Sequence, residues 1–224
     1  MKKKMVILGA GESGVGAALL ASRKGYDVFL SDSGMIADKY MEELQTWGIP
    51  FEQGQHSEQR ILEADEVVKS PGIPEKAAMV KKIREAGIPI ISEIELAYRY
   101  AGDSKIVAIT GSNGKTTTTA LTYHICKHAE LDCALVGNIG FSFARQVALE
   151  PKPLYVAEIS SFQLDDIQSF RPQIAVITNI TEDHLDRYEY KFDNYIRSKF
   201  KIISNQLQED VFIYNLDDET TQEK

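Results

Sequence analysis

The residues best suited to chemistry lie in two glycine-bearing segments. Thr110-Gly111-Ser112-Asn113-Gly114-Lys115-Thr116 ends in Gly-Lys-Thr. That combination surrounds phosphate oxygens with backbone N–H groups, offsets β/γ charge with a lysine and offers a hydroxyl to Mg²⁺. The first glycine of the eight-residue phosphate-loop pattern would fall at Ile109, so the match is to its core only. Thr116 to Thr119 are four β-branched residues that start a helix poorly, a conflict expected where ligand binding overrides local preference. Gly111, Ser112, Asn113, Gly114, Lys115, Thr116 and Thr117 therefore read as an ATP site, with a plain Ser/Asn/Gly turn as the competing reading.

The other segment, Gly9-Ala10-Gly11-Glu12-Ser13-Gly14, follows G-x-G-x-x-G, and Asp32 closes the next strand about 20 residues on. A Cβ at these glycines would block the turn and hold phosphate away from the helix N-terminus, where N–H groups and the dipole attract anions. NAD is the standard ligand of this fingerprint, with Asp32 accepting from a ribose hydroxyl. A bare strand–helix turn is the alternative. Ser70-Pro71-Gly72-Ile73-Pro74, after another strand, either meets the same ligand or is a simple Pro-Gly turn.

Phosphoryl transfer also needs an acid near the metal, and Glu158 ends the apolar run Leu154–Ala157. Thr178–Tyr188 packs Glu182, Asp183, Asp186 and His184 into one loop, which would bind metal, orient substrate or merely be solvated. His56, His124 and His128 lack such a setting and read as surface or packing residues.

Several elements must hold these loops. Met5–Leu8, Asp27–Leu30, Glu66–Lys69 and Ile88–Ile91 read as strands, with helical patterns at Val15–Lys24 and Glu75–Ala86. A polar connector at Ala101–Ser104 separates a second series: strands near Lys105–Thr110, Cys133–Val136, Leu154–Glu158, Ile174–Asn179 and Val211–Asn215, and helices near Lys115–His128 and Phe192–Ile203. Alternating strands and helices imply parallel sheets covered on both faces. The expectation is an α/β chain: a Rossmann-like parallel-sheet domain over 1–102, then a P-loop-type α/β ATPase domain over 103–224. The second is expected to be cut short, because the chain stops in polar residues just after a strand.

With 33 Asp and Glu against 25 Lys and Arg, a formal charge of -8 and no basic block beyond Lys2–Lys4, a general nucleic-acid or anionic-membrane binder is excluded. Two cysteines are too few for a disulfide framework, which suits the cytoplasm. Met1–Leu8 mimics the start of a secretory signal, but Glu12 interrupts it, and no other stretch could span a bilayer.

Taken together, Thr110–Thr117, Gly137-Asn138-Ile139-Gly140, Glu158–Leu164 and Asn179–Tyr188 resemble the Mur ligases, ATP-dependent amide-forming enzymes of peptidoglycan synthesis. Gly9–Gly14, Asp32 and Ser70–Ile73 narrow the likeness to the branch that joins D-glutamate to UDP-N-acetylmuramoyl-L-alanine. The resemblance implies that the first domain holds UDP and not NAD. Glu12, Ser13, Asp32 and Ser33 would line uridine and ribose, and Ser70 and Gly72 would approach the diphosphate. Relatives often carry Arg where Gly34 stands. It further implies that Lys115 and Thr116 contact ATP phosphates and Mg²⁺, that Glu158 and His184 lie near the metals, and that Asn138 and Ser160 face the muramoyl-alanine end. Lys199 matches a carbamylated lysine that helps hold a second Mg²⁺, so Lys115, His184 and Lys199 form the implied catalytic set and Thr116, Glu158, His184 and Lys199 the metal set. From sequence alone, Lys199 reads as an exposed helix lysine.

Two rivals stand beside this reading. One is an NAD-dependent oxidoreductase, which leaves Gly111–Thr116 without a role. The other is a nucleotide-binding module without turnover, since the family places D-glutamate binding in later segments. A monomer is expected.

Overall fold

Lys4–Leu8 (β1) and Asp27–Ser31 (β2) are mostly apolar runs and Glu66–Lys69 (β4) buries Val67 and Val68 between charged ends, so each must be covered on both faces. Glu12–Arg23 (α1), rich in alanine and leucine, supplies part of that cover: Val15, Ala17, Ala18, Leu20 and Ala21 are fully buried. Asp38–Thr46 (α2), Phe51–Glu52 (β3), Glu58–Leu62 (α3), Ala78–Glu85 (α4), Ile90–Ile91 (β5) and Glu93–Tyr100 (α5) complete the series. The five strands lie parallel in the order β3-β2-β1-β4-β5. Between β1 and β4 the chain direction around the sheet reverses, so the loops after those strands open a crevice at their carboxyl ends.

The second series comprises Lys105–Thr110 (β6), Lys115–His128 (α6), Cys133–Gly137 (β7), Phe143–Leu149 (α7), Leu154–Glu158 (β8), Ser161–Leu164 (α8), Ile174–Ile177 (β9), Phe192–Phe200 (α9), Val211–Tyr214 (β10) and Glu219–Gln222 (α10). Its sheet is also parallel, in the order β10-β9-β6-β8-β7. The central strands β6 and β8 are buried through Ile106, Ala108, Ile109, Tyr155, Val156 and Ala157.

The computed structural model describes residues 2–224, which divide into two compact units. One runs to Tyr100 and takes in Ser142–Glu150; the other holds Ala101–Phe141 and Pro151–Lys224. The α/β class with two parallel sheets is as expected, but the boundary at 102/103 assigned α7 to the second domain. In the structure α7 packs within the first unit, beside α1 and α5. Its sequence shows no reason for this until Arg145 is seen among the acids of the first unit. The helix expected over Phe192–Ile203 ends at Phe200 and continues as a single 3₁₀ turn, Lys201–Ile203. Among the described residues no helix is long and apolar enough to cross a membrane.

Candidate functional site

In the second unit, β6 leads directly into the Gly111–Thr116 loop. Gly111 has φ +147°, and a Cβ there would lie 1.9 Å from Thr178 Oγ1, so only glycine lets the loop pass the end of β9. Gly114 takes the left-handed conformation as N-cap of α6, supplies no capping side chain, and no acid stands in the first turn. The helix N-terminus is thus left to attract an anion. Side chains after β9 brace the loop from below. Asn113 N donates to Asn179 Oδ1 (3.0 Å), Thr178 Oγ1 to the Asn113 carbonyl (2.7 Å) and Ser112 Oγ to the Thr181 carbonyl (2.8 Å).

Two lysines converge on this turn. Lys115 Nζ donates to the carbonyls of Gly111 (2.9 Å) and Ser112 (2.8 Å), and Lys199 Nζ donates to the same Gly111 carbonyl (2.6 Å). Lys199 is 1 % exposed, which corrects its reading as a surface lysine. Helical spacing could not reveal this, because α9 turns that face inward beneath the loop. Burial, helped by the Lys115 charge and opposed by Asp183, pulls the amine down to about 7.

Glu158 ends β8, in register with Ile109 of β6 and Gly137 of β7. Gly137 has φ +101°, and a Cβ there would come within 2.2 Å of the Glu158 carbonyl. The Glu158 carboxyl is 1 % exposed; Oε1 accepts from Asn138 Nδ2 (2.7 Å), while Oε2 is buried without a hydrogen-bond partner. An orphaned carboxylate oxygen beside a phosphate loop suits a cation that otherwise takes oxygens from phosphate, hydroxyl and water. Among the described residues no three His, Cys, Asp or Glu side chains gather as a metal cage. Thr116 and Thr117 are exposed in the first turn of α6. His184 sits in the left-handed region at φ +48°, its ring 5.2 Å from that of Phe162 and its side chain about half exposed. Ser160 caps α8: its hydroxyl accepts from Gln163 N (3.3 Å) while Gln163 Oε1 accepts from Ser160 N (2.9 Å).

In the first unit, the loops after β1, β2 and β4 meet at one edge. A Cβ on Gly14 would lie 1.9 Å from the Gly9 carbonyl, and one on Gly9 2.7 Å from Ser70 Oγ. Asp32 pins two backbones, Oδ2 accepting from Ala10 N (2.7 Å) and Oδ1 from Gly34 N (2.8 Å). Ser33 and Gly72 are exposed, and Ser13 and Ser70 half-buried. Beneath the last loop, buried Lys69 bonds Glu75 (2.9 Å) and the Ile73 carbonyl (3.3 Å). Glu12 is already paired within the first unit. Its carboxylate takes Arg145 Nε (2.7 Å) and Nη2 (3.2 Å) and the Ser142 N–H (3.2 Å), and Arg145 reaches Glu43 as well (2.8 Å). Nearby Glu93, 1 % exposed, accepts from the Ala144 N–H at the start of α7. Burial, with Glu12 adding to it and the α7 N–H groups opposing, pushes its carboxyl up to about 7. Arg145, Glu93 and Lys69 were not singled out by sequence reasoning. Only Lys69 left a signal, as a charge ending an apolar run immediately before Ser70-Pro71.

These features define an α/β protein with a glycine turn between a strand and a helix N-terminus in each unit. Residues 109–224 match the Mur ligase middle domain and residues 3–92 the MurD-like Mur ligase N-terminal domain. The chain belongs to the Mur ligase family. It is 59% identical over 214 residues to the UDP-N-acetylmuramoylalanine–D-glutamate ligase of Cytophaga hutchinsonii, covering 95% of this chain and 48% of that protein. The ligase of the same name from Bacteroides fragilis is 58% identical over 216 residues, covering 96% and 48%. The chain thus spans about half the length of the curated relatives it matches. Among solved structures, the fold is shared with the Neisseria meningitides UDP-N-acetylmuramate:L-alanyl-gamma-D-glutamyl-meso-diaminopimelate ligase, with a TM-score of 0.66 at 22% identity over 100% of this chain and 74% of that one. It is shared likewise with the UDP-N-acetylmuramate–alanine ligase of Thermotoga maritima, with a TM-score of 0.61 at 24% identity over 100% and 51%.

Proposed function

We propose that the whole protein joins D-glutamate to UDP-N-acetylmuramoyl-L-alanine at the expense of ATP, and that these 224 residues supply its UDP-binding unit and its phosphate-binding turn. The observation that carries this is the buried, half-partnered Glu158 carboxylate on the strand beside the Lys115 turn. In the first step a carboxylate oxygen of the alanyl group attacks the γ-phosphorus of ATP; the P–O bond to ADP breaks and an acyl phosphate forms. The D-glutamate amine then attacks the acyl carbon, phosphate leaves with the C–O bonding pair, and the amine sheds its proton. The first step brings two anions together, and Lys115, leaving the Gly111 and Ser112 carbonyls, would offset that repulsion in the transition state. No protein nucleophile is needed.

Thr116, Glu158, His184 and Lys199 would hold Mg²⁺, which when bound supplies positive charge to the transferring phosphoryl oxygens. An amine titrating near 7 is partly neutral at physiological pH, so Lys199 would add carbon dioxide and become an anionic carbamate, the N–C bond forming as a proton leaves. Asn138 holds Glu158 in the structure, and it and Ser160 would also face the muramoyl-alanine end. In the first unit Asp32, Ser13, Ser33, Ser70 and Gly72 would surround the UDP. Glu12 would act through the Arg145 pair, shaping that loop without touching the ligand. An oxidoreductase would leave Lys115, Glu158 and Lys199 without work, and it is not favoured.

The test is calorimetry and phosphate release with this chain. Binding of UDP-N-acetylmuramoyl-L-alanine without D-glutamate-dependent phosphate release is expected. Binding of NADH in preference to UDP would refute the assignment of the first loop, and D-glutamate-dependent turnover would refute the division of labour.

A further inference from the structure

His56, expected to be a surface or packing residue, belongs to a hydrogen-bonded chain that ends at the nucleoside side of the first site. Glu52, the last residue of β3, accepts from Ser31 Oγ at 2.6 Å and from Ser57 N at 2.7 Å. Burial works against its charge, but the bonds from Ser31 and Ser57 prevail and hold the carboxyl below the usual range. It is therefore a carboxylate, which only accepts. The Ser31 hydroxyl is fully buried and has a single proton, which goes to Glu52. Its 2.7 Å contact with His56 Nδ1 must then be donated by the ring, so Nδ1 carries a proton. In the singly protonated ring this makes Nε2 the acceptor. A buried serine whose own proton is given to the acid is no hydrolytic nucleophile, which disposes of the catalytic look of a Ser-His-Glu set.

The position of His56 is set by the strand order. Phosphates belong at the crevice between β1 and β4, and a ribose at the end of β2, by Asp32. A base continuing outward along the sheet edge next meets the end of β3. The loops after β2 and β3 form one surface there: Asp32 N donates to the Glu52 carbonyl (3.1 Å), Gly54 N to the Gly34 carbonyl (2.9 Å) and Ile36 N to Gln53 Oε1 (2.9 Å). Gly34 brings no side chain to this edge, and His56, two residues after Gly54, is half-buried.

We propose that His56 is a specificity-determining residue that reads the pyrimidine, its Nε2 accepting the N3–H of uracil and excluding cytosine. Uracil presents an imide donor between two carbonyls, whereas cytosine presents a lone pair at the same place, so a fixed acceptor favours one and repels the other. Protonating the ring would turn Nε2 into a donor and abolish the preference. The inference rests on the UDP reading of the first unit.

Calorimetric titration of this chain with UDP, CDP and inorganic pyrophosphate tests it. The protein is expected to favour UDP over CDP by roughly tenfold or more, the usual yield of one buried hydrogen bond placed against a mismatch. His56→Ala should erase that ratio while leaving pyrophosphate affinity and the circular dichroism spectrum unchanged. Ser31→Ala, which frees the tautomer, should shrink the ratio in the same sense. An unchanged UDP-to-CDP ratio in folded His56→Ala, or no preference in the parent protein, would overturn the role of His56 and leave the UDP reading standing. Failure of UDP to bind the parent protein at all would overturn both.

Discussion

The two glycine turns follow the same local plan, a strand, a tight loop and a helix N-terminus, yet they are charged in opposite ways. The first carries no lysine, and its nearby acids are engaged elsewhere: Asp32 holds the backbones of Ala10 and Gly34, and Glu12 holds Arg145. The second brings two lysines to one carbonyl oxygen and faces a carboxylate with a free oxygen. A site that only retains a diphosphate can rely on N–H groups and the helix dipole. A site where phosphoryl charge moves needs full charges placed before the reaction begins. The difference also separates what each unit needs to fold from what it needs to act.

The largest effect expected from this contrast is at Lys115. Its ammonium bonds two carbonyls of its own loop, so Lys115→Ala in the full-length protein should lower turnover by about 10³-fold or more with the melting temperature nearly unchanged. Turnover within tenfold of the parent would remove Lys115 from the chemistry. Arg145 should behave in reverse. Its side chain is 8% exposed between Glu12 and Glu43, and Arg145→Met leaves Glu12 with the Ser142 N–H and Glu43 without its ion pair, each acid being 35% exposed, so unfolding of the first unit should cost about 1–2 kcal/mol less. Urea denaturation with an unaltered midpoint would show that the pair contributes little.

Opposite pH responses follow from the two buried groups near 7. Glu93 keeps its proton in the folded unit up to about 7, whereas the unfolded chain loses it near the ordinary value of 4.5. Between those values the folded state binds more protons, so this group's contribution falls as pH rises. Lys199 loses its proton at about 7 when folded and near 10.5 when unfolded, so between those values its contribution rises with pH. Each slope can approach about 1.4 kcal/mol per pH unit. Glu93→Gln should flatten the first and Lys199→Met the second, as read by denaturant midpoints across pH. The smallest effect is at Lys69, which supports the Ser70–Pro74 loop from beneath. Lys69→Met should weaken UDP binding about threefold to tenfold, with Lys69→Arg recovering part of the loss. Equal affinities for all three proteins would separate that loop from the ligand.

The strands and the two turns were legible because a parallel sheet demands unbroken apolar runs and both loops demand glycine, and these constraints are local. Lys105–Thr110, Lys115–His128 and Leu154–Glu158 appear with the expected ends. Short elements such as Phe51–Glu52 and Glu58–Leu62 carry too few residues to show a period. What could not be read depends on residues far apart in the chain. Lys199 is buried where its Nζ donates to the Gly111 carbonyl, 88 positions away. Glu12 is paired by an arginine 133 positions on, and the helix bearing that arginine belongs to the first unit. His56 gains its role only when β3 pairs with β2 and brings Glu52 to Ser31.

The central claim is that the two turns serve different nucleotides at once. The direct measurement is a calorimetric titration of UDP into this chain, alone and saturated with Mg²⁺ and a non-hydrolysable ATP analogue. One UDP per chain, bound with nearly the same affinity in both cases, is the predicted result. Displacement of UDP by the analogue would mean a single shared site and would contradict the account.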